Sequence, residues 1–172
     1  MLGLAPMEAS LRRSDERVWT LPHSPGLCQE RILGMKAKEG VIDFLNKILT
    51  NELTAINQYF VHAEMSENWG YERRYHQIRS FSIDEMKDAE KTIKHILYLE
   101  GVPNMQRLGT VHVGETVPEQ LKLDLKQEQE AVKLFTEAIT HCAKVGDYTT
   151  RHILEDMVKD EEAHIDWLET QL

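Results

Sequence analysis

The sequence predicts an all-α protein, a four-helix bundle in which two antiparallel hairpins are joined by one long crossover. Three observations predict it. Four long stretches carry apolar residues at 3.6-residue spacing, separated by Trp69-Gly70, by Gly146-Asp147 and by a glycine-containing segment from Val102 to Thr116. One glutamate sits within each apolar stripe: Glu52, Glu85, Glu128 and Glu161. The four are also matched in pairs, because Glu52 precedes Glu85 by 33 residues and Glu128 precedes Glu161 by 33. Both arms of a helical hairpin climb about 1.5 Å per residue, so a turn midway brings each later glutamate back opposite the earlier one.

The first helix is expected from about Lys38 to Asn68, where Ile42, Leu45, Ile48, Leu49, Glu52, Ala55, Ile56, Tyr59 and Ala63 share one face. The second is expected from about Tyr71 to Glu100, with Ile78, Phe81, Glu85, Asp88, Ala89, Ile96 and Leu99 inward and Gly101 and Pro103 as its stop. The segment Val102 to Thr116 is too long for a tight turn and suits a crossover, with a short strand expected at Thr110-Val113. The third helix begins at Val117-Pro118 with Thr116 as its cap, turns Leu121, Leu125, Glu128, Val132, Phe135, Ile139 and Cys142 inward, and ends before Gly146. The fourth runs from about Asp147 to Leu172.

Residues 1–34 differ from the rest. They hold Pro6, Pro22 and Pro25, have no sustained helical period, and balance four arginines against four acids, so the net charge of -9 sits after residue 34. They are expected to be a disordered extension, with Met35 as a candidate first residue and 35–172 as the folded domain. The acidic balance argues against nucleic acid, and no apolar run approaches the ~20 residues that cross a bilayer. Cys28 and Cys142 form neither a disulfide framework nor a spaced metal motif, which suits a reducing, cytoplasmic setting.

Glu161-Glu162-Ala163-His164 carries the chemistry. Residues three apart share a helix face, so Glu161 and His164 point together into the side that also holds Leu154, Met157, Val158, Ile165 and Leu168. Burying a carboxylate and an imidazole costs several kcal/mol, roughly, unless a partner compensates, and a metal ion serves both at once. Four carboxylates and one imidazole at one height suit iron or manganese, with zinc as a non-redox occupant. Di-iron carboxylate bundles draw one Glu from each of two helices and Glu-x-x-His from each of the other two. Here Glu85-Met86-Lys87-Asp88 stands where the second Glu-x-x-His would be, so Asp88 is either a shorter anionic ligand or a helix-surface residue beside five ligands.

Met86 points about 130° from the mean direction of Glu85 and Asp88. It joins a lateral stripe with Tyr75, Ile83, Ile93 and Leu97, comparable with Leu53, Asn57 and Phe60 on the first helix, and two such stripes imply a subunit interface. By position alone Met86 is interface packing. Tyr59, two turns from Glu52, is expected to be a core tyrosine hydrogen-bonded to a ligand carboxylate, and Trp69 and Trp167 to pack. His62, His76, His95, His112, His141 and His152 lack ligand spacing and are expected at the surface or an interface.

The stretches Asn51-Glu52-Leu53-Thr54-Ala55-Ile56-Asn57-Gln58-Tyr59-Phe60, Ser82-Ile83-Asp84-Glu85-Met86-Lys87, Ile96-Leu97-Tyr98-Leu99-Glu100-Gly101-Val102-Pro103-Asn104 and Asp160-Glu161-Glu162-Ala163-His164-Ile165-Asp166-Trp167-Leu168-Glu169 resemble bacterioferritin, the haem-containing branch of the ferritin superfamily, and the resemblance covers residues 35–172. It implies iron storage and detoxification in a hollow 24-subunit shell, with ferroxidase chemistry at a di-iron centre in each subunit and oxygen or hydrogen peroxide as oxidant. It also implies haem b shared across each twofold dimer and a ferredoxin-type reductant. By that resemblance Glu52, Glu85, Glu128, Glu161 and His164 fall on ferroxidase ligands, and Met86 on the methionine that ligates haem. Asp88 falls on the second histidine ligand and departs from it. At an inner-surface iron site Asp84 is kept and Ser80 replaces a histidine. The family's short fifth helix has no counterpart before Leu172, which raises the expectation of a bundle that never builds the shell. A further alternative is a haem-bearing subunit with an impaired ferroxidase centre that coassembles with a complete bacterioferritin subunit.

Overall fold

The computed structural model describes residues 36–172, which contain four helices and no strand. The expected extension at 1–34 lies outside the described residues, as does Cys28. Helix α1 spans Val41–Asn68, α2 Glu72–Tyr98, α3 Val117–Val145 and α4 Tyr148–Gln171. Each begins or ends within a few residues of its sequence expectation. Helix α1 packs along α2, α3 along α4, and α1 along α3, whereas α2 and α4 touch far less. No helix among the described residues is long and apolar enough to cross a membrane.

The ends of the helices follow from local chemistry, with two corrections. Helix α2 was expected to stop on Gly101, yet the residue in the left-handed region is Glu100, with φ 60°, and Gly101 N–H closes the turn on the Ile96 carbonyl at 2.8 Å. Glycine at 101 serves close packing: a Cβ there would come within 2.6 Å of Ile42 Cδ1, so that side chain would have to shift. Thr116 occupies the cap position of α3 in extended conformation, but its side chain caps nothing. The cap with a side-chain bond is Asp147, whose carboxylate accepts from Thr150 N–H at 3.0 Å and from its hydroxyl at 2.7 Å.

The crossover forms no strand at Thr110-Val113, because its backbone groups bond to α1 side chains instead. Asn46, Thr54, Gln58 and His62 lie along one ridge of α1 and receive the N–H groups of Asn104, Gly109, His112 and Gly114 in turn, at 2.8, 2.8, 3.1 and 3.2 Å. A strand's donors would need a neighbouring strand; here a helix ridge replaces it.

Two apolar clusters fill the bundle. One gathers Leu45, Leu49, Ile96, Phe135, Leu154 and Met157 with Cys142, whose thiol burial, then Asp147, push up to about 11. The other gathers Ala55, Tyr59, Ala63, Ile78 and Phe81. In sequence Glu52 falls between the α1 members of the two clusters, and Glu85 between those of α2. The glutamates therefore form a polar layer inside an apolar interior.

Candidate metal centre

All five residues predicted to converge are buried. Glu85, Glu128, Glu161 and His164, from α2, α3 and α4, bring ligand atoms within 4.8 Å of one another. His164 Nδ1 stands 3.1 Å from Glu85 Oε1, 3.6 Å from Glu128 Oε1 and 3.9 Å from Glu161 Oε2. Glu52, from α1, lies against Glu85 at the edge of this cluster, near Asp88 and Glu128. The helical period put each of these side chains on its inward stripe, and the hairpin turns set them at one level.

The chemistry of the layer is unfinished by protein atoms alone. Both oxygens of Glu52, both of Glu161, Oε1 of Glu85 and Nδ1 of His164 are buried without a hydrogen-bond partner. Buried polar atoms are nearly always bonded, so six such atoms in one layer fit a ligand that accepts lone pairs, namely a cation. Carboxylate oxygens in excess with one nitrogen are a donor set for iron or manganese. The residues present thus fit a metal centre.

Burial, followed by the charges of neighbouring carboxylates, holds Glu52 and Glu161 well above the usual 4.5, and burial with Glu128 raises Glu85. Burial alone would lower His164, but Glu128 and Glu85 outweigh it and carry it to about 10. Tyr59 donates its hydroxyl to Glu128 Oε1, as expected of a core tyrosine beside a ligand carboxylate. Phe81 lies over the His164 ring, with centroids 4.2 Å apart, and Trp167 meets Phe81 edge-on at 5.3 Å. Trp167 packs as expected, and with His164 and Asp88 it lines an open cleft of about 510 Å³ between α2 and α4.

Asp88 is buried but stands outside the four-residue cluster, with Oδ1 2.6 Å from Lys91 Nζ. Asp84 pairs with Lys87 at 2.8 Å, and Ser80 bonds the Gln77 carbonyl at 2.7 Å. Met86 lies on the exposed lateral stripe, 55% accessible, with Phe60, Ile83 and Leu97.

Two histidines correct the sequence reading. His62 and His95 are buried, not superficial. His62 places Nδ1 2.8 Å from Asp124 Oδ1 and accepts the Gly114 N–H on Nε2; His95 Nε2 meets Thr150 Oγ1 at 2.8 Å. Asp124 also accepts from Gln58 at 3.0 Å, and Arg74 reaches Gln120 at 2.8 Å. Asp124, not singled out from the sequence, stands one turn before Glu128, and His62, expected at the surface or an interface, stands three residues after Tyr59; both spacings mark the inward face. Their partners, rather than ligand spacing, explain their burial.

The raised glutamates and His164 give a sign to pH dependence. Without metal the folded chain holds protons on these groups that the unfolded chain releases, from 4.5 upward for the glutamates and from 6.5 up to about 10 for His164. That part of the stability is present below those lower values and is lost as pH rises. Thermal melts of the metal-free chain should therefore show Tm falling between about pH 5 and pH 8. Added Mn2+ must displace the same protons, so its Tm gain should grow over that interval. A gain from Mn2+ that is independent of pH would contradict the assignment.

A family described as Ferritin-like domain matches residues 42–172. The bacterioferritin of Rhodobacter capsulatus is 47% identical over 138 residues, covering 80% of this chain and 86% of that protein. Those of Mycobacterium leprae and Brucella melitensis are 46% and 42% identical over 138 residues each, with 87% and 86% of their lengths covered. A bundle of two hairpins, a buried layer of carboxylates with one imidazole, and this degree of identity lead to one assignment: the chain belongs to the ferritin-like family, among the bacterioferritins.

Proposed function

We propose that this chain stores iron, oxidising Fe(II) to Fe(III) at a two-ion centre inside each subunit before the ferric product passes to a protein shell. The observation that carries the reading is the set of buried oxygen and nitrogen atoms without partners on Glu52, Glu85, Glu161 and His164. Glu85 and Glu161 would bridge two ferrous ions, Glu52 and Glu128 would each hold one, and His164 would supply the nitrogen. Four carboxylates in a low-dielectric layer favour the higher charge of the ferric product, and oxygen or hydrogen peroxide takes up the electrons. Tyr59 holds Glu128 in place through its hydroxyl.

The lateral stripe supports a second site. The Met86 thioether stands exposed on an apolar strip, as a group shared by two copies would require, and haem b held between paired Met86 residues across a twofold dimer fits that placement. Bound haem would supply electron transfer from a ferredoxin-type reductant for iron release. A 24-subunit shell in the cytoplasm is the assembly proposed with it.

One observation favours an alternative. Asp88 is tied to Lys91, so this chain's own oxidation can be slow and its main contribution haem, within a hetero-oligomer that includes a complete bacterioferritin subunit.

Anaerobic loading with two ferrous ions per subunit, then rapid mixing with oxygen or peroxide, separates the readings. A fast oxidation phase in the wild type, lost by about tenfold or more in Glu128→Ala, is expected for a working centre. If Glu128→Ala oxidises both ions at full speed, the centre is misassigned. A fast phase that appears only in Asp88→His moves the lead to the haem-bearing alternative. For the second site, Met86→Leu should abolish a bis-thioether haem spectrum; an unchanged spectrum would remove haem from Met86.

A further inference from the structure

The cleft between α2 and α4 holds a cation of the chain's own. Lys91 is one turn beyond Asp88 on α2, and its Nζ lies 2.6 Å from Asp88 Oδ1 and 3.8 Å from Asp160 Oδ2 on α4. The ammonium thus reaches between the two helices that carry Glu85 and Glu161. Its acidic partner is no ordinary surface group. The Asp88 side chain is only 5% exposed, whereas that of Lys91 is 51% exposed. An exposed ion pair is worth little, but a buried carboxylate that stays ionised needs a counter-charge, and Lys91 supplies one to Asp88 at the edge of the layer.

We propose that Lys91 is a built-in competitor for the second cation position, so that the metal centre fills in two unequal steps and the second ion enters only as the Lys91 ammonium leaves Asp88. The inference rests on the two-ion reading of the centre. The first position, bounded by Glu85, Glu128, Glu161 and His164, has no lysine or arginine among the described residues paired with its carboxylates, and both oxygens of Glu161, Oε1 of Glu85 and Nδ1 of His164 have no hydrogen-bond partner there. The second, on the side of Glu52 and Asp88, meets a positive charge already in place. An arriving dication must overcome repulsion from that ammonium or displace it. The half-exposed lysine stem is free to swing into the cleft, which makes displacement the cheaper route.

The cleft contains its own control. Lys87 lines the same opening but is engaged by Asp84 at 2.8 Å. Removing Lys87 lowers the positive charge of the cleft by the same amount without freeing Asp88. A general field effect would respond to both lysines, a competitor only to Lys91.

The test is equilibrium titration of the full chain with Zn2+, which binds without oxidation, in wild type, Lys91→Met, Lys91→Arg and Lys87→Met. The wild type is expected to take one ion about tenfold or more tightly than the next. In Lys91→Met the second affinity should rise by about tenfold or more while the first moves far less. Lys91→Arg should retain the wild-type inequality, and Lys87→Met should leave both affinities unchanged. Two equal ions in the wild type, or a second affinity indifferent to Lys91→Met, would overturn the proposal while leaving the centre intact. A wild type that takes no ion into the bundle would overturn the centre and this proposal together.

Discussion

The bundle is built around a cost. Four carboxylates and an imidazole are held in a layer between two apolar clusters, and several of their atoms meet no hydrogen-bonding partner. Isolated charges in such a place cost several kcal/mol each, roughly, and the protein meets that cost without metal by holding protons. The raised glutamates and the His164 imidazolium are the record of it. A divalent cation resolves the same cost in another way, replacing protons by coordination. The proposed metal affinity and the expected loss of metal-free stability with rising pH are thus two consequences of one arrangement.

Other polar groups inside the bundle behave differently, and the contrast is informative. His62, Asp124 and Gln58 are also buried, but they bond to one another and to the crossover backbone. They fix the long connection against α1, which lets the second hairpin deliver Glu128 and Glu161 to the level of Glu52 and Glu85. In the first set only Asp124 Oδ2 is left without a partner, whereas the glutamates and His164 leave six such atoms, chemically available. The distinction lies in whether the neighbours are donors or other anions.

Much of this was legible in the sequence because helices convert spacing into geometry. Equal separations of 33 residues, taken with turn residues near the middle, set Glu52 beside Glu85 and Glu128 beside Glu161, and Glu-x-x-His sets the imidazole with them. What escaped were contacts made by side chains of one element to backbone of another. The expected strand at Thr110-Val113 gave way to bonds from a helix ridge, and no period within the crossover encodes that. His62 and His95 have no ligand spacing, yet His62 stands three residues after Tyr59 and His95 four before Leu99, spacings that mark the inward face. Lys91 was invisible for another reason: three residues from Asp88 on one helix, it counts as an ordinary solvated pair, and only the burial of Asp88 and the approach of Asp160 from α4 set it apart.

Crystals of the full chain grown with Mn2+ and measured at the manganese absorption edge test the central claim most directly. The account predicts anomalous density inside the bundle, strongest among Glu85, Glu128, Glu161 and His164, at coordination distances of about 2.0–2.2 Å from their oxygen and nitrogen atoms. Density confined to the molecular surface, with the buried carboxylates closed on one another, would contradict it.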